Sequence, residues 1–88
     1  MPGDYIAMIS EHILRLGHAL AEHRGLKLST ISTYIAGSGD TLERLRRGRT
    51  MTIRRGEALL QKLSDRWPAD LPWPPDIPRP PPNSKEAA

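Results

Sequence analysis

Apolar residues over positions 4–23 recur at intervals of three and four: Ile6, Ile9, Ile13, Leu16 and Leu20. That spacing puts them on one face of a helix and predicts a long amphipathic first element. Asp4 is expected to cap its start, and Gly25 sits where a left-handed residue commonly ends a helix. Gly17, inside the pattern, costs about 1 kcal/mol relative to alanine and is expected to admit a second helix at close range. Residues 28–36 form a shorter apolar unit in which Leu28, Ile31 and Ile35 share a face, with Ser29 as the expected cap. The β-branched Thr30, Ile31, Thr33 and Ile35 lower its helix propensity and leave a strand as the competing reading, so the helix depends on tertiary packing.

Gly37-Ser38-Gly39 is a turn signal. Asp40-Thr41-Leu42-Glu43 has the form of a capping box and predicts a third helix over 41–47, stopped by Gly48. A fourth helix is predicted over 53–66, capped by Thr52, with Ile53, Leu60, Leu63 and Trp67 facing inward and Leu59 beside them. Pro68 ends it. Eight of the last 21 residues are proline, which predicts extended, polyproline-like chain. Leu71, Trp73 and Ile77 are expected to pin the first part of this tail to the helices, and residues 83–88 are expected to be disordered. The predicted organisation is a helical domain over 1–67 followed by a proline-rich tail over 68–88.

Composition narrows the choices. The 88 residues fit one small domain and include no cysteine, so neither a disulfide nor a thiolate zinc site is available to staple it. The fold has to come from packed helices near the lower size limit for independent stability. No apolar run is long enough to span a membrane, and the N-terminus lacks the layout of a signal peptide, so a cytoplasmic protein is expected. The net charge of +3 is unevenly placed: residues 44–55 carry six arginines and no acid, leaving −3 for the rest. A basic patch on a nearly balanced chain points to a polyanion, against the alternative of a merely solvated helix surface.

The apolar spacing across the turn bears on that choice. Leu28, Ile31, Ser32 and Ile35 supply one inner face, with Ser32 the small residue at close approach, and Leu42 and Leu45 supply the next. This arrangement over roughly 26–67 resembles the helix-turn-helix of lambda-repressor-like regulators, including small phage and prophage DNA-binding proteins. The corner glycine of that family would fall on Ala36, whereas this chain has Gly37 and Gly39. The resemblance implies an all-α, four-helix domain with its helix-turn-helix at about 28–47, the second helix of the pair entering the major groove of double-stranded DNA.

Rotation by 100° per residue puts Arg44 and Arg47 opposite Leu42 and Leu45, with Arg46 at the flank. Thr41, Arg44 and Arg47 are the expected base contacts, the two arginines because a guanidinium pairs with guanine O6 and N7. The alternative for both arginines is phosphate contact or pairing with Glu43. Asp40 and Glu43 are read as capping residues, with cytosine N4 an alternative partner for Glu43. Ser29, Thr30, Arg46, Arg49, Thr50, Thr52, Arg54 and Arg55 are the expected phosphate contacts, which position the protein without reading sequence. For Ser29 and Thr30, ordinary capping competes with that role.

Catalysis is not expected. His12, His18 and His23 are six and five residues apart, not the pair of a helical zinc site, and no glycine-rich loop has phosphate-cradling spacing. No metal or cofactor is predicted. A single unit buries little surface on DNA, so a homodimer is expected, through the first helix or the tryptophan-bearing tail. The alternative function is a protein-binding adaptor or inhibitor. In that reading the tail joins the contact, and the Pro72–Pro75–Pro78 spacing suggests a PxxP ligand, against a stiff cover or spacer.

Overall fold

In a computed structural model, which describes residues 2–49 and 51–82, the chain folds as four helices: α1 (Pro2–Arg24), α2 (Leu28–Ala36), α3 (Thr41–Arg46) and α4 (Ile53–Asp65). There is no strand among the described residues, so the β-branched α2 segment is helical. Its low propensity is offset by packing, since Ile31 and Ile35 are buried.

Helix α1 is the spine. Ile9, Ile13, Leu16 and Leu20 are all buried, as the spacing predicts. The helix begins at Pro2, so Asp4 lies within it rather than at its cap; proline suits a first turn because its missing N–H would have no partner there. The side chains of Asp4 and Ile6 lie outside the described residues. At the other end Leu26 N–H reaches the Ala21 carbonyl at 2.8 Å and Gly25 N–H the Glu22 carbonyl at 3.3 Å, with Gly25 at φ 66°. These paired bonds satisfy carbonyls that the helix leaves open.

Two small residues let the helices close on one another. A Cβ at Gly17 would stand 3.0 Å from Leu42 Cδ1 and 3.4 Å from Leu28 Cδ1, so α2 and α3 press on α1 there. A Cβ at Gly56 would stand 2.8 Å from Ile9 Cγ2. The inner face of α4 therefore runs through Gly56, Leu59, Leu63 and Ser64, with Leu60 half-buried. Ile53, expected inside, is exposed: it lies at the helix start, a turn before the close contact at Gly56.

Residues 68–82 pack against this framework. Ile77 is 2 % exposed and belongs to the same core as Ile13 and Leu63. Two turns interrupt the extended chain expected of its composition. Leu71 N–H bonds the Pro68 carbonyl and Ile77 N–H the Pro74 carbonyl, making two turns. Each turn is closed a second time by an indole: Trp67 Nε1 donates to Leu71 O and Trp73 Nε1 to Ile77 O, both at 2.7 Å. The rings meet edge to face at 4.9 Å. Pro72, Pro75 and Pro78 are exposed, but the turn at 74–77 interrupts the straight run that a PxxP ligand presents. Proline-rich chain suits this packing because it carries few N–H donors that need partners. The Pro80 and Pro81 carbonyls accept from Ser64 Oγ at 2.5 Å and Gln61 Nε2 at 2.8 Å. The expectation of disorder over 83–88 lies outside the described residues.

Arg15 on α1 donates to both carboxylate oxygens of Asp76, at 2.7 and 3.3 Å. That hydrogen bond, with the nearby charge, holds the Asp76 carboxyl below its ordinary value of 3.8. A depressed carboxyl contributes stability that is complete above its unfolded value and is lost as pH falls through the folded one. The docked segment is therefore expected to loosen in acid, starting below about pH 4. Tryptophan fluorescence followed from pH 6 to pH 2 in the native chain and in Asp76→Asn checks this. The variant should lack the part of the acid transition that Asp76 contributes, and identical profiles would refute the assignment.

Candidate nucleic-acid interface

Helix α2 ends at Gly37, whose φ of 76° turns the chain toward α3. The geometry of this turn is held by Ser32, which is fully buried on α2. The Ser32 hydroxyl donates to the Ser38 carbonyl at 2.6 Å and accepts from Leu42 N–H at 3.1 Å. A serine on one helix therefore caps the next. The capping box is not formed: Asp40 sits at φ −104°, ψ 0°, not the extended backbone a side-chain cap requires, and makes no cap bond. Ser29 does not cap α2 either. The cap position is Lys27, and Ser29 lies inside the helix with its carbonyl accepting from Thr33 Oγ1 at 3.1 Å. Ser32→Ala is expected to cost about 1–3 kcal/mol, because it orphans the buried Leu42 N–H. Urea unfolding, together with faster amide exchange at Leu42, measures it; unchanged exchange there would mean Ser32 only fills space.

Leu42 and Leu45 face the core and the polar side of α3 faces out. On that side the acids pair with arginines. Arg44 reaches Asp40 at 3.0 Å, Arg47 lies 3.5 Å from Glu43, and Arg46 bonds both Glu43 oxygens, through Nε at 3.0 Å and through its terminal nitrogen. The Ser38 hydroxyl bond, then the Arg44 charge, lowers the Asp40 pKa; the Arg46 hydrogen bond is the main cause of the lowered Glu43 pKa. Both acids stay ionised at neutral pH and offset part of the local positive charge. The pairs are exposed, so each is weak and readily exchanged for another anion.

Gly48, at φ 94°, reverses the chain after α3, with Arg49 N–H bonding the Arg44 carbonyl at 2.9 Å. This return brings the start of α4 beside α3 and opens a groove between them. Thr41, Arg44, Arg49, Thr52 and Arg55 line it, with Leu45 and Met51 as the apolar part. The Thr52 hydroxyl caps α4 by accepting from Arg55 N–H at 3.1 Å, as expected. Among the described residues Arg49, Arg54 and Arg55 have no carboxylate partner.

Five of the expected contact residues thus converge on one groove. Arg46, Arg47 and Arg54 are exposed outside it, Ser29 and Thr30 lie at the start of α2, and Thr50 lies outside the described residues. Leu45 and Met51 in the groove, and the tether at Ser32, are additions that the charge pattern does not reveal; a polar residue between Ile31 and Ile35 on an apolar face is the signal for Ser32. Among the described residues no three metal-ligating side chains converge, and no helix is long and apolar enough to cross a membrane. Comparison of the chain with protein-family models, with curated proteins and with solved structures gives no match.

Proposed function

We propose that this chain is a sequence-reading DNA-binding regulator of the helix-turn-helix type, of the small kind carried by phages and mobile elements. The observation that carries the reading is the groove: Arg49 and Arg55, with no carboxylate partner among the described residues, stand beside the exposed face of α3 that bears Thr41 and Arg44. In this reading α3 enters the major groove. Arg44 exchanges Asp40 for a base edge or a phosphate, and Arg47 lies next to it on the exposed side. Arg49, Thr52 and Arg55 hold phosphates beside the N-terminus of α4, whose open N–H groups favour anions. Arg46 and Arg54 extend the basic surface to either side. A helix of six residues reads few bases, so a homodimer on a two-fold site in the cytoplasm completes the proposal.

Fluorescence anisotropy tests it, with random duplex and with the DNA upstream of the gene, each across a salt series. The expected result is a steep loss of affinity with salt on both and a clear preference for the upstream fragment. No binding to either at low salt would sink the proposal and favour the adaptor reading, in which the basic face meets an acidic protein.

A further inference from the structure

We propose that the cleft between the last turns of α1 and α4 and the middle of α2 binds a small organic carboxylate with an apolar body about the size of benzene. Leu20, Ile31 and Ile35 form its floor and are at most 4 % exposed. Tyr34, 57 % exposed, walls one side, and the exposed Arg24 and Arg66 complete the lining. The cavity measures about 110 Å³. Sites for drug-sized molecules start near 300 Å³, whereas an apolar cavity of about 150 Å³ holds benzene, so the occupant is a single ring or short alkyl chain.

Charge selects the rest of the ligand. Arg15 and His23, on the same helix as Arg24, are matched by Asp76 and Asp70 at 2.7 and 3.2 Å. Arg24 and Arg66 have no carboxylate partner among the described residues. Two guanidinium groups at an apolar opening, without a carboxylate partner among the described residues, favour an anion whose flat carboxylate accepts paired N–H bonds. The exposed Tyr34 ring offers an aromatic body a face to stack on. This cleft shares no residue with the groove between α3 and α4, so the inference is independent of DNA binding.

Amide NMR titration of the full chain with phenylacetate, benzyl alcohol and a short glutamate-rich peptide carrying one phenylalanine tests it. Phenylacetate should give saturable shifts centred on Leu20, Arg24, Ile31, Tyr34, Ile35 and Arg66, and bind about tenfold more tightly than the alcohol. Arg24→Gln and Arg66→Gln, both at exposed positions, should each weaken phenylacetate several-fold and leave the alcohol unchanged. Shifts that do not saturate, equal affinity for acid and alcohol, or indifference of both variants would overturn the proposal. Saturable binding of the peptide alone would also overturn it and make the cleft an anchor pocket for a protein.

Discussion

Ile77→Ala is expected to destabilise the protein by about 2–4 kcal/mol, a core-sized effect from a residue in the proline-rich segment. Ile77 is 2 % exposed and packs in the same cluster as residues of α1 and α4. Alanine there removes three carbons from a site whose neighbours are fixed by helices and by the Trp73 indole bond to the Ile77 carbonyl, so the void cannot close freely. A domain of this size has only a few kcal/mol to lose. Truncation after Trp67 should be worse. It removes Leu71, Trp73 and Ile77 together, exposes the Trp67 ring, and takes away the carbonyl partners of Gln61 and Ser64. Arg79 goes as well, which lies over Trp73 at 5.2 Å and donates to the Ser64 hydroxyl and carbonyl at 3.0 and 2.9 Å. Urea unfolding should show a lower midpoint for Ile77→Ala and no cooperative transition for the truncated chain. A change below about 0.5 kcal/mol, the usual range for surface substitutions, would mean that the segment does not dock in solution. A truncation meant to separate DNA binding from tail function therefore has to stop beyond the docked residues.

The second large effect concerns the arginine groove. On the proposed DNA-binding reading, Arg49→Ala with Arg55→Ala is expected to weaken binding to every duplex alike and to reduce the salt slope by about 0.9 for each phosphate no longer neutralised. Arg44→Ala is expected to act differently, costing about 1–3 kcal/mol on the preferred sequence and relaxing preference at one base pair. The contrast follows from position. Arg49 and Arg55 flank α3 on the return and on α4, whereas Arg44 stands on the exposed face of α3 itself. Anisotropy titrations of both variants over a salt series and a set of single-base changes separate the two roles. A uniform decrease with Arg44→Ala would make it a phosphate contact. Asp40→Asn should raise affinity for all DNA, because it frees Arg44 and removes an ionised acid from the surface.

Much of the fold was legible in the chain. The spacing from Ile9 to Leu20 specified α1 and Thr52 announced the cap of α4, because these signals act within a turn or two of backbone, whereas at 28–36 a strand competed and packing of Ile31 and Ile35 settled the helix. The local signals that failed are those overridden by another partner, by where a helix starts or by where two helices meet. Asp40 and Glu43 have the spacing of a capping box, but the Asp40 backbone is not extended and its carboxylate accepts from Ser38 and Arg44, while Glu43 pairs with Arg46 and Arg47. Ser29 resembles a cap, but the helix starts one residue earlier. Ile53 fits an apolar stripe, yet the close contact of α4 with α1 is made a turn later at Gly56.

The first, third and fourth helices, their order, their principal buried faces and a dense basic stretch follow from periodicity, turn residues or charge counted along the chain, whereas helix over strand at 28–36 rests on the burial of Ile31 and Ile35. The tertiary structure alone decided which arginines share a groove, because that depends on where the return at Gly48 brings Arg49, Thr52 and Arg55 relative to α3. It alone assigned the cap of α3 to Ser32, ten residues away from the N–H it satisfies. It also decided how the proline-rich segment docks: Leu71, Trp73 and Ile77 are the residues expected to pin it, and the structure adds two turns closed by indole bonds. The apolar residues among the prolines mark which side chains dock, but the turns that carry them and the gap that Ile77 fills depend on the surrounding helices.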